Sequence, residues 1–271
     1  MPASEVDFIF GIIIVLIMGL GWGGFATTAI YRLPRDMPWI GDRPRCFMCK
    51  HTLNIIDYFA ILSFFLLRGK CRYCGGKYEC NYSYFVTEIA ITTLFMLYYL
   101  KYGFGDEFVL VTGLIVGAVM LGVIEAEHKK IPAKILISLL LIGAVYRTFV
   151  DGTFYWALYG AIVGGLAGVF IRYIYFSAKG QRDIAIDYTV WQQEDRFKGP
   201  YFDYVKFLAV VGVWIKFEYF IIYLAIAGFT IILWNIIHRR SLRLGVIMSA
   251  YLLLAVIYPE TYDFFWQSIF G

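Results

Sequence analysis

Residues 107–134, "EFVLVTGLIVGAVMLGVIEAEHKKIPAK", hold the pattern that decides the fold. Phe108 to Ile124 carry no charge, and then two glutamates, a histidine and three lysines arrive between Glu125 and Lys134. An uncharged run of this kind suits one crossing of roughly 30 Å of hydrocarbon, and the charges mark where the chain leaves it. Similar apolar runs occupy about 8–30, 84–103, 131–149, 154–176, 219–237 and 242–258, with a shorter one at about 205–216. With 61% hydrophobic residues, 16% charged ones and a mean hydropathy of +0.69 over 271 residues, a soluble domain is excluded. The fold expected is an all-α polytopic membrane protein of about eight transmembrane helices.

Orientation follows from the basic residues, which collect in short cytoplasmic loops. With the N-terminus outside, every Lys and Arg except Lys101, Arg147 and Lys216 falls on the cytoplasmic side or at that end of a helix. The net charge of +4 is then a topology signal and calls for no nucleic acid. Glu5 and Asp7 stand where a signal peptide would carry basic residues, so the first run reads as a retained helix. The chain divides into 1–30 (outer N-terminus and first helix), a cytoplasmic loop 31–83, a helical bundle 84–258 with a cytoplasmic insertion at 177–204, and an outer segment 259–271. "GLGWGGFATTA" (19–29) and "GAIVGGLAG" (160–168) offer small residues where helix backbones can approach closely. In the insertion, Tyr188, Trp191, Phe197 and Tyr201 alternate with charges, a pattern that suits either a solvated excursion or a surface for a partner protein.

Four of the five cysteines form two C-x-x-C knuckles, Cys46–Cys49 and Cys71–Cys74. Each knuckle can supply two adjacent corners of a tetrahedron, and this spacing matches a four-thiolate zinc site. A reducing compartment disfavours disulfides, while a redox C-x-x-C remains the alternative. With all four ligands from protein, such a zinc ion shapes the loop and leaves no position open for chemistry. Cys80 is left over. Between the knuckles, "NIIDYFAILSFFLLRGK" (54–70) is too short to span and reads as a segment lying on the membrane surface or the bundle.

"IYRLP" (30–34), "RCFMCKHTL" (45–53), "LSFFLLRGKCRYCGGKY" (62–78) and "YSYFVTEIAITTLF" (82–95) together resemble the bacterial type IV prepilin peptidases. The resemblance continues through "IEAEHKKIP" (124–132) and "VKFLAVVGVW" (205–214). It implies an integral membrane aspartic endopeptidase of the bacterial inner membrane, serving type IV pilus or type II secretion. Such an enzyme removes leaders from prepilin-like proteins and in many members methylates the new N-terminus, so S-adenosylmethionine is implied by resemblance only. Glu88 matches a family glutamate early in the second helix, where a methyl donor or a leader could bind; a partner for cytoplasmic arginines is the structural alternative.

The family's chemistry needs two close carboxylates, one acting as base on a water and one as acid to the leaving amine. Here the first aspartate position is Glu125, followed by Glu127 and His128, with Ala133 in place of the usual Asp or Asn. The second is Tyr204, with Asp203 one residue early and "PYF" (200–202) in place of the flanking glycines. Glutamate keeps the charge but moves it by more than about 1 Å, a displacement that can cost about a hundredfold in rate. Tyrosine stays protonated at neutral pH. Two readings follow: a catalytically degenerate member acting as a partner-binding or assembly subunit, or an active endopeptidase working through Glu125 and Asp203. A transporter is disfavoured, because the carboxylates sit at helix ends and the helix interiors are nearly free of charge.

Overall fold

The computed structural model describes residues 3–38, 45–46, 48–52, 61, 66–67, 70–76, 82–128, 131–150, 152–179, 200–238, 244–261 and 264. Among the described residues, eight long helices coincide with the eight apolar runs. They are α1 (Ala3–Arg32), α2 (Tyr82–Tyr102), α3 (Phe108–His128), α4 (Ala133–Phe149), α5 (Phe154–Lys179), α6 (Pro200–Trp214), α7 (Phe217–His238) and α8 (Leu244–Ile257). Among the described residues the only β pairing is an isolated antiparallel bridge between Arg45 and Thr52. Segments Asp7–Arg35, Ser83–Tyr102, Phe108–His128 and Phe154–Ile171 are long and apolar enough to cross a membrane, and Val205–Trp214, Tyr219–Thr230 and Val246–Ile257 are shorter apolar helices. The chain is an all-α, multi-pass membrane protein.

Helix ends fall where local chemistry requires them. Gly103 closes α2 in the left-handed conformation (φ 70°), its N–H donating to the Tyr99 carbonyl at 2.8 Å. Pro132 lacks an N–H and stands as the extended N-cap of α4, its carbonyl accepting from Ile135. After α1 the chain makes a single 3-10 turn over Leu33–Arg35 and leaves through Asp36 at φ 55°.

The chain forms two compact units, Met1–Ile124 and Glu125–Gly271. In the first, α1 lays one glycine face along α2. A Cβ on Gly19 would strike the Thr92 backbone and one on Gly23 the Glu88 stem, while Gly11 leaves room for the Tyr99 ring. In the second, α5 and α6 touch backbone to backbone. A Cβ on Gly160 would collide with the Gly212 carbonyl, one on Gly164 with the Leu208 carbonyl, and one on Gly168 with Val205. Van der Waals packing of this closeness is what holds helices together where lipid removes the hydrophobic drive between them. The Trp214 indole adds a hydrogen bond to the Leu139 carbonyl of α4 at 3.0 Å, and the Tyr223 hydroxyl of α7 donates to Met248 of α8 at 2.9 Å.

Within the expected insertion 177–204, positions 180–199 lie outside the described residues. So do Cys80, most of 54–70, positions 239–243 and the end of the chain from 265.

Candidate metal centre and carboxylate sites

The two knuckles are built alike. In the first, Cys46 N–H donates to the His51 carbonyl (2.9 Å) and Lys50 N–H to the Cys46 carbonyl (2.9 Å). In the second, Cys71 N–H donates to Gly76 (2.8 Å) and Gly75 N–H to Cys71 (2.9 Å). Each turn passes through a left-handed residue at the same place, Lys50 at φ 58° and Gly75 at φ 66°. Glycine takes that conformation freely, whereas lysine pays roughly 1–2 kcal/mol for it, so the first knuckle is held to this shape by the site as a whole.

The sulfurs converge. Cys46 Sγ lies 3.9 Å from Cys74 Sγ, Cys49 Sγ lies 4.0 Å from Cys71 Sγ, and all four fall within 4.8 Å of one another. A tetrahedral ion with Zn–S bonds of about 2.3 Å separates its sulfurs by about 3.8 Å, so the donor set fits zinc. Cys46 and Cys71 are buried, and Cys49 and Cys74 are exposed. At Cys49 the His51 backbone hydrogen bond lowers the thiol pKa, but partial desolvation and hydrogen bonds with Cys46, Cys74 and Cys71 outweigh it and push it up to about 11. A divalent cation is the natural counter-charge for four thiolates. Gly76 completes the cradle, since a side chain there would press on Met48 and the Cys74 sulfur.

Glu88 is fully buried on α2, against Gly23 of α1. Its Oε2 accepts the Ile61 N–H at 2.8 Å. The inter-knuckle segment is therefore tied to the membrane helices by a carboxylate, a link that the spacing of the motifs did not reveal.

In the second unit, Glu125 is only 3% exposed, at the cytoplasm-directed end of α3 in the expected topology. Its Oε2 accepts the Val246 N–H at 2.8 Å. Val246 belongs to the first turn of α8, where N–H groups have no partner inside the helix and the dipole favours an anion. Glu125 therefore caps α8 from another helix. His128 Nε2 lies 3.7 Å from Glu127 Oε2, at the more accessible end of the same turn.

Asp203 and Tyr204 both belong to the first turn of α6, which begins with Pro200 at its favoured first position. Because this backbone is helical, the two positions stand about 100° apart around the axis. The side chains of Pro200–Tyr204, and with them the expected pairing of Glu125 with Asp203, lie outside the described residues.

Arg147, one of the three basic residues that break the charge asymmetry, is buried at the far end of α4. Its Nε donates to the Val213 carbonyl at 2.8 Å and its Nη2 to the Trp214 carbonyl at 3.0 Å. It caps the C-terminus of α6, where a cation complements the dipole.

A multi-pass helical membrane protein with four cysteines gathered closely enough to hold a metal ion is the class that this architecture defines. The chain matches the family model of the bacterial peptidase A24 N-terminal domain over residues 17–102. It is 29% identical over 172 residues to the prepilin leader peptidase/N-methyltransferase of Vibrio cholerae, covering 60% of this chain and 66% of that protein. With the protein of the same name from Bacillus subtilis it shares 30% identity over 174 residues, covering 64% and 69%. With that of Myxococcus xanthus it shares 29% over 164 residues, covering 60% of this chain and 48% of the relative. No solved structure matches. The chain belongs to the prepilin leader peptidase/N-methyltransferase family. It spans about two thirds of the first two relatives and about half of the third, and the family-model match ends before Glu125.

Proposed function

We propose that this protein is a catalytically degenerate prepilin-peptidase-family member of the bacterial inner membrane, acting as a partner-binding or assembly subunit. The observation that carries the reading is the hydrogen bond from Val246 N–H to Glu125 Oε2. A carboxylate that satisfies an N–H in the first turn of a helix is held in place by that bond. The extra methylene of glutamate, unhelpful to a dyad laid out for aspartates, is what gives the reach to a neighbouring helix end. The helical backbone at 203–204 supports the same reading, because neighbouring positions on a helix stand about 100° apart around its axis.

The topology that goes with this function has the N-terminus outside and the zinc loop in the cytoplasm. Zinc held by Cys46, Cys49, Cys71 and Cys74 has a structural role, pinning the ends of the inter-knuckle segment. The expected partners are the lipid bilayer and a prepilin-like or other membrane protein, with 177–204 as the natural contact surface. S-adenosylmethionine enters only through the relatives, whose names include N-methyltransferase.

The second reading is an active endopeptidase. The low exposure of Glu125 favours it, since a catalytic carboxylate needs a site screened from bulk water. In that case one of Glu125 and Asp203 accepts a proton from the attacking water while the other donates one to the departing amine. The test is incubation of the purified protein in lipid with a prepilin-like substrate, beside Glu125→Gln and Asp203→Asn. The degenerate reading expects an intact leader in all three reactions. Cleavage that either substitution abolishes restores the peptidase.

A further inference from the structure

Two of the three basic residues that break the charge asymmetry, Arg147 and Lys216, line one cavity of about 840 Å³ in the second unit. Thr153, Tyr155, Trp156, Tyr159, Gly160 and Val163 form one wall, from the start of α5 down its first turns. Gly212, Ile215 and Phe220 close the other side, where α6 ends and α7 begins. All of this lies at the bundle end opposite Glu125, since Glu125 precedes the start of α4 and Arg147 stands in its last turn. The cavity is therefore separate from the carboxylate site.

Its polarity is graded. Lys216 stands at the α6–α7 turn and is exposed; its carbonyl accepts the Phe220 N–H, while its side chain makes no hydrogen bond or ion pair among the described residues. Thr153, just before the start of α5, lines the same cavity, while Val163 sits nearly three helical turns further down, roughly 15 Å along the axis. Arg147 is already committed to the α6 carbonyls, which leaves Lys216 as the cation available to a ligand. The outer face of α5 beside the opening is apolar and exposed at Phe154, Trp156, Leu158 and Ile162, so the cavity is approached from hydrocarbon and not only from water.

We infer that this cavity binds an anionic phospholipid, with the headgroup phosphate at Lys216 and Thr153 and an acyl chain along Tyr159 and Val163. A cation in the leaflet that normally lacks them, the Trp156 indole and the Tyr155 phenol near the mouth, and a channel leading inward past Tyr159 and Val163 together match one amphiphile. A soluble anion would use the mouth and leave the channel unfilled. A cavity of this size falls within the range that buries most of a small ligand.

Trp156 supplies the probe. The full-length protein in detergent micelles is titrated with dibrominated phosphatidylglycerol and, separately, dibrominated phosphatidylcholine, and tryptophan quenching is followed. Phosphatidylglycerol is expected to quench at about fivefold lower concentration, the weight of one lysine near an anionic lipid surface. Lys216→Gln should erase that preference while leaving the melting temperature unchanged, because the side chain is exposed. Trp156→Phe should remove the saturable part of the quenching. Equal quenching by both lipids, or a preference that survives Lys216→Gln, would overturn the assignment. So would full reversal of phosphatidylglycerol quenching by inorganic phosphate at equal concentration, which marks a site for a soluble anion.

Discussion

Glu125 shows how one methylene can move a side chain between roles. As a helix-end carboxylate in a catalytic turn it resembles a family aspartate, yet its oxygen meets an amide at the start of α8. Replacing it with alanine removes the acceptor of that part-buried N–H and should lower stability by about 1 kcal/mol. Glutamine keeps an acceptor oxygen at the same reach, so Glu125→Gln should melt close to the parent protein. Thermal unfolding in one detergent reads both. At Arg147 the fork matters as well as the charge. Loss of two charge-assisted bonds should make Arg147→Ala destabilising by about 2–4 kcal/mol, and lysine, which cannot bridge both carbonyls, should restore less than half of it. The sequence announced the positions of both residues but not their partners. Periodicity and spacing place a residue along one helix, whereas Val246 is far away in the chain and Arg147 looked like an exception to a charge rule until the end of α6 was found beneath it.

Among the elements, the four-cysteine loop was the most legible, because a tetrahedral metal site limits the spacing of the thiols that could serve it. The four cysteines are the four that the pattern selected, and the repeated backbone turns at Cys46–His51 and Cys71–Gly76 are what that spacing requires. Cys46→Ser or Cys71→Ser should take bound metal from one ion per chain to none, while Cys80→Ser should leave it unchanged, as read by elemental analysis of the purified protein. Binding must displace thiol protons, and Cys49 sits at about 11 in the metal-free site. Metal affinity should therefore rise with pH and fall as pH drops, by up to tenfold per pH unit for each proton released. The small-residue stretches were ambiguous on sequence alone, since a lipid-facing glycine and a contact glycine look the same. The structure separates them. Gly160 and Gly212 have no room for a side chain, so leucine at either should prevent α5 and α6 from packing and abolish recovery of folded protein. Gly228 has open space around it, and Gly228→Ala should be neutral or stabilising by up to about 1 kcal/mol.

At the scale of the whole molecule, the number and position of the helices were readable because bilayer thickness imposes a length on every crossing. Each expected apolar run became a helix with ends within a few residues, and the proline, glycine and charged residues between them account for the stops. Hydropathy could not foretell the division after Ile124, which falls inside an unbroken helix and depends on packing between distant segments. Orientation is testable directly. A cysteine placed at Gly152 in a cysteine-free background should react with an impermeant maleimide in intact cells. One placed at Lys50 should react only after the membrane is opened.

The account rests on Glu125 serving α8 and not a peptide bond. The measurement that bears on it most directly is leader cleavage and thermal unfolding of the parent protein and Glu125→Gln, made on the same preparations. The account predicts matching melting curves and leader removal at background level in both. A parent protein that removes the leader, beside a Glu125→Gln protein that melts alike but does not, would contradict it and make Glu125 a catalytic acid.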